Sequence, residues 1–186
     1  MAQDPTDLHT RTSSTSDGNA IIARRVHAPT DAVWAVLANG WMYATWVVGA
    51  SRIRAVEPHW PQPGSKVHHS FGIWPALIND DTEVLACDRG RELLLKTRRE
   101  AHVRIHLTPG TTPGSSIVSI VEDVTGGPGR LIPRAARQLL ITPRNTEALR
   151  RLALSPKATP GLRDRRPINA AGPRMKPDPL SRAHAR

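Results

Sequence analysis

Between Ser51 and Val124 the chain repeats one pattern: a short segment of alternating apolar and polar residues, then a turn. "SRIRAVE", "KVHHSFGIW", Thr82 to Cys87, "ELLLKTR", "HVRIHL" and "IVSIVEDV" are the segments. In "HVRIHL", Val103, Ile105 and Leu107 share one face, and His102, Arg104 and His106 the other, as a half-buried strand requires. The joins between them, such as "DRGR" and "TPGTTPGS", are far shorter than the dozen or so residues a parallel crossover needs. About six strands must therefore pair antiparallel.

What flanks this block completes the architecture. "AIIARRVHAP" (20–29) reads as a strand ended by proline, followed by a helix over "DAVWAVLAN" with Thr30 as its N-cap. Asn39-Gly40 ends that helix, and a second short one ends near Gly49. After the last strand, "GGPGRLIPRAARQLLITPRNTEALRRLALS" reads as a long helix. Leu139, Leu140, Leu149 and Leu152, with Ala135, Ala136, Ala148 and Ala153 among them, supply its apolar face. Pro143 should kink or restart it, with Thr142 as cap. Such a helix must cover the apolar face of the sheet, which gives an α+β domain.

All seven aromatic residues, five Trp, one Tyr and one Phe, fall between Trp34 and Trp74. Bulky rings gathered this way either plug one end of a core or line a place where something apolar sits. Alternation turns His69 to the same face as Val67 and Phe71, and Glu122 to the face of Val118 and Ile120. Two titratable groups facing each other would tune one another and could form an acid–base pair. A satisfied histidine and a rim glutamate are the plainer alternative.

"VHAPTDAVWAVLAN", "TWVVGA" with Trp46, "PGSKVHHSFG" and "RNTEALRRLA" occur in this order across residues 20–154. On these pieces the chain resembles the START-like superfamily (SRPBCC), which includes pollen-allergen-type and polyketide cyclase/dehydrase and lipid-transport proteins. The resemblance implies a helix-grip fold, in which a curved antiparallel sheet wraps the long final helix. It also implies a cavity for an apolar ligand between the two layers. Trp41, Tyr43, Trp46, Phe71 and Trp74 are then the candidates to line or gate that cavity, with His69 and Glu122 supplying polarity. The leading expectation is a binding protein for a lipid-like or polyketide-like molecule. A cyclase or dehydratase using His69 and Glu122 as acid and base is the alternative.

Composition bounds the rest. Residues 1–19 are polar and read as a disordered segment without the apolar core of a secretory signal. Residues 155–186 hold six prolines and a charge of +6 out of the chain's +10, and read as a disordered basic tail. Contact with nucleic acid or an anionic surface would fall to that tail; a solubilising role is the plainer reading. No run approaches the ~18 apolar residues that span a bilayer, and single Cys87 fits a reducing, cytoplasmic setting as a structural thiol.

Neither a metal nor a cofactor is expected. His102 and His106 share a strand face but lie ~13 Å apart, too far to ligate one ion. "TGGPG" lacks the Lys-Ser/Thr of a phosphate loop. Arg134, Arg137, Arg144, Arg150 and Arg151 read as the solvated side of the last helix, with no interleaved aromatics to make them a nucleic-acid stripe.

Overall fold

A computed structural model describes residues 10–98 and 100–155. The expectations for residues 1–9 and 156–186 lie outside the described residues. Eight strands form one antiparallel sheet: β1 (Thr10–Ser14), β2 (Ala20–Val26), β3 (Ala50–Val56), β4 (Lys66–Ile73), β5 (Ala76–Asp88), β6 (Glu92–Thr97), β7 (Ala101–Pro109) and β8 (Ser116–Val124). Their order is β1-β2-β8-β7-β6-β5-β4-β3, so β3 to β8 are a plain meander and β2 returns beside β8. Helices α1 (Thr30–Leu37) and α2 (Tyr43–Trp46), joined by a 3-10 turn at Gly40–Met42, follow β2; α3 (Arg134–Leu154) follows β8 and is the last helix among the described residues. The fold is α+β, a curved sheet gripping its C-terminal helix. No helix among the described residues is long and apolar enough to cross a membrane.

The sheet bends where its ladder is interrupted. Register shifts fall between β3 and β4 (Ala50/Arg52 and Ile53/Ala55) and between β5 and β6 (Val84/Ala86). Each bulge adds twist and bend to its strand, which lets the flanks curl toward the helix. The alternation behaves as expected: Ile105 and Leu107 on β7 and Val118, Ile120 and Glu122 on β8 are all buried.

Four sequence expectations need correction. Residues 10–14 are not disordered but form β1, an exposed edge strand paired to β2 from Thr10↔Arg24 to Ser14↔Ala20. Thr30 is the first residue of α1; Pro29 holds the cap position, and no side chain caps the helix. Helix α3 runs through Pro143 without restarting at Thr142. Leu139 and Leu140 do not belong to its buried face, being 77% and 71% exposed, and Ala135 and Ala136 are exposed too. The inward track at that end is taken by Arg137, which donates to the Val124 carbonyl, and Gln138, which accepts from the Ala20 amide.

The two halves of α3 therefore do different work. Its C-terminal half packs Leu149 and Leu152, fully buried, into the core with Ile22, Val33 and Leu37. Burying each such leucine contributes roughly 1.5–3 kcal/mol, which anchors the helix on the sheet. Its N-terminal half, from Arg137 to Asn145, stands over open space. That difference positions the site.

Candidate functional site

A cavity of about 760 Å³ lies between the N-terminal half of α3 and the concave face of the sheet, closed at one side by α2. Protein interiors are otherwise packed to near-crystal density, so a volume of this size is a constructed feature. Its wall is mainly apolar: Leu95, Val103, Ile120, Ile141 and Ala148 are among the residues that face it. Ala148 is the one alanine of α3 on this wall, where its small side chain leaves room.

The aromatic cluster splits three ways. Tyr43, Trp46 and Phe71 line the cavity. Tyr43 packs edge-on against Trp46, with ring centroids 5.4 Å apart, and against Trp60 at 6.4 Å. Trp34 and Trp60 are core residues outside the cavity wall, and the Trp60 indole donates to the Leu37 carbonyl at 3.2 Å. Trp41 and Trp74, expected to line or gate the cavity, lie outside its wall and are 62% and 80% exposed. Trp41 sits in the 3-10 turn and Trp74 at the tip of the β4–β5 hairpin. Gly49, in the left-handed region at φ 96°, is needed to seat Phe71, because a Cβ there would come within 2.4 Å of the ring.

One polar group of the wall centres on Thr82. Its hydroxyl joins the Tyr43 hydroxyl at 2.8 Å and His69 Nε2 at 3.2 Å, while the Tyr43 and His69 rings lie 5.1 Å apart. All three side chains are buried. Beside them is Asp80, the cross-strand neighbour of His69, whose Oδ1 accepts from the Asp81 amide at 2.9 Å. No cation is paired with the Asp80 carboxylate among the described residues. The guanidinium of Arg54 instead donates to the backbone carbonyls of His69 and Asp80 and clamps the two strands.

Burial sets the protonation of both rings. It pushes the Tyr43 phenol up to about 12, against the opposing pull of the Thr82 bond. It holds His69 below the ordinary histidine range, although neighbouring Asp80 works in the opposite direction. The Ser70 backbone lies near enough to bias the charge of the imidazole, yet His69 Nδ1 makes no bond of sound geometry. Near neutral pH the wall presents a phenol and a neutral imidazole.

Tyr43 is the only tyrosine in the chain, so tyrosinate absorbance near 295 nm reports it alone. Little tyrosinate should form in the folded protein until pH nears 12. The unfolded chain loses this proton near 10, so stability attributable to Tyr43 falls as pH rises from about 10 to 12. A midpoint close to 10 in protein that is still folded would contradict the burial of this ring.

A second polar group lies on the helix side. Glu122 Oε2 accepts a charge-assisted bond from Arg144 Nη2 and a bond from Asn145 Nδ2 at 3.1 Å. Glu122 and Asn145 are buried, and Arg144 is half-buried on the cavity wall. Both candidates singled out for polarity, His69 and Glu122, thus face the cavity. They are committed to different partners, and no hydrogen bond joins them among the described residues.

Asp80, Thr82 and Asn145 escaped the sequence reading, and Arg144, read there as part of the solvated side of the last helix, is instead half-buried on the cavity wall and paired with Glu122. The run Asn79-Asp80-Asp81 resembles a turn, which hid the first half of β5; only the observed register brings Asp80 opposite His69. Thr82 shares its strand face with buried Val84, a signal that was legible and unused. Arg144 and Asn145 are pinned by contacts 22 and 23 residues away in sequence. Arg150 and Arg151, by contrast, bond to Glu147 on the outer side of α3, as a solvated face should. Among the described residues no three metal-ligating side chains come together.

No protein-family model matches the chain, and no curated protein matches it. Solved structures do share its fold. A protein from Rhodobacter sphaeroides superposes with a TM-score of 0.63 at 18% identity, over 81% of this chain and 100% of its own. A solution structure from Arthrobacter aurescens gives 0.60 at 11%, over 81% and 93%. Protein Ms6760 from Mycobacterium smegmatis gives 0.58 at 16%, over 80% and 98%. At such identities the likeness shows the fold alone: an antiparallel sheet compatible with the helix-grip arrangement.

Proposed function

We propose that this chain is a START-like (SRPBCC) binding protein that holds an apolar small molecule, lipid-like or polyketide-like, between its sheet and α3. The observation that carries the reading is the cavity of about 760 Å³, apolar along most of its wall and lined by Tyr43, Trp46 and Phe71. Its volume is in the range of pockets that take drug-sized ligands, roughly 300–1,000 Å³, and such pockets join an apolar wall to a few fixed polar groups. Removal of apolar surface from water drives the binding. The Thr82-centred group and the Glu122–Arg144–Asn145 group orient the polar end of the guest.

Two measurements test this. Purified protein is extracted and analysed by mass spectrometry for a co-purifying apolar molecule, and it is titrated with the neutral fluorophore N-phenyl-1-naphthylamine. Saturable binding of the fluorophore, displaced by the extracted molecule, is the expected result; no uptake of any apolar compound would overturn the reading.

The cyclase or dehydratase alternative rests on His69, a neutral imidazole in the cavity wall and a group able to take up a proton. With His69 as the base, it requires a proton donor other than Glu122, whose carboxylate is already held by Arg144 and Asn145. On that alternative, His69→Ala would abolish turnover of a bound polyketide while leaving its affinity intact. Equal loss of both would return the site to simple binding.

A further inference from the structure

We propose that the mouth of the cavity docks on an anionic lipid bilayer, independently of the basic segment beyond residue 155. The mouth carries apolar side chains that nothing among the described residues covers. Ile78, Ile132 and Leu140 face the cavity and are also exposed to solvent, at 43%, 43% and 71%. Leu131 and Leu139, next to them in the chain but outside the cavity wall, are 88% and 77% exposed. Large exposed apolar side chains concentrated at one site mark an interaction surface, whereas scattered ones do not.

The charges around them select the occupant. Arg98 lies at the cavity, and Arg130 and Arg134 flank the leucines on the turn and first residue leading into α3, while Arg137 is turned inward onto the Val124 carbonyl. None of Arg98, Arg130 and Arg134 has an acidic partner within ion-pair distance among the described residues, whereas Arg144 is taken by Glu122. Of the acids that line the cavity, Glu100 is paired with Lys96 at 3.2 Å and Glu122 with Arg144, while Asp80, unpaired among the described residues, is buried. Apolar side chains bordered by unpaired arginines fit the boundary between lipid headgroups and acyl chains: leucine and isoleucine enter, and guanidinium groups meet phosphates. A second copy on the same face would set these arginines against their own equivalents, since a two-fold interface is self-complementary.

Docked in this way, an apolar guest passes between bilayer and cavity without crossing water. That purpose rests on the binding function proposed above; the docking itself does not.

The full chain is tested by flotation with vesicles of phosphatidylcholine alone and of phosphatidylcholine with phosphatidylglycerol. Binding to the anionic vesicles is expected, at least tenfold weaker on neutral ones and weakened by salt. The double variant Leu131→Ser/Leu139→Ser should lose about tenfold in vesicle affinity, with thermal unfolding and N-phenyl-1-naphthylamine binding unchanged. Vesicle binding that the double variant retains would assign the contact to the segment beyond residue 155 and overturn the proposal. Absence of vesicle binding would overturn it too, as would a dimer in sedimentation that the double variant dissolves. Should the fluorophore fail to bind while flotation succeeds, the ligand-binding reading falls and the docking surface stands.

Discussion

Ala148→Phe is expected to lower affinity for N-phenyl-1-naphthylamine at least tenfold while leaving the protein folded. Ala148 is buried on α3 and its methyl faces the cavity. A phenyl ring built there enters space a guest would occupy, and a tenfold loss corresponds to about 1.4 kcal/mol. In a filled core the same change would overpack and destabilise by roughly 1–3 kcal/mol. Here the ring has about 760 Å³ to enter, so thermal stability should hold or rise. Unchanged affinity would place the fluorophore elsewhere, and a large stability loss would mean that the space is already full.

The second large effect concerns stability. Glu122→Ala should destabilise the protein by about 2 kcal/mol in urea unfolding, because it strands two donors at once. Asn145 is buried and loses its acceptor outright; Arg144 is half-buried and can turn toward water, which keeps the cost below that of a fully buried broken pair. Glu122→Gln should recover part of the loss, since its amide oxygen still accepts from Asn145. A change below about 0.5 kcal/mol in the alanine variant would mean that this group does not hold α3 to β8.

Much of this architecture was legible because burial on one face of a sheet forces alternation. Val118, Ile120 and Glu122 could be assigned inward from their spacing alone, as could His69 beside Val67. Edge pairing leaves no such mark. β1 is held by backbone bonds to β2 and exposes nearly every side chain, so "TRTSS" carries no apolar period to read. The first half of β5 failed for a related reason, its side chains being mostly exposed and its Asn-Asp-Asp run turn-like.

Composition was a weaker guide to the site. Seven aromatics fall within one stretch, but a ring that lines a cavity, one that fills a core and one that meets solvent are the same residue type. Trp46, Trp60 and Trp74 occupy these three situations in turn. The helix misled differently: Leu139 and Leu140 fit an apolar face by spacing, yet no described residue buries them at that end of the sheet. Asp80 and Thr82 became site residues only through their register with β4.

The most direct test of a hollow interior uses methyl-labelled protein and an apolar guest. On adding N-phenyl-1-naphthylamine, methyl resonances of Val103, Ile120, Ile141 and Ala148 should shift, since these residues face the cavity. Those of Val84, Leu93 and Leu107, buried but away from it, should stay in place. Shifts confined to surface methyls, or none at saturating guest, would contradict an open space between sheet and helix.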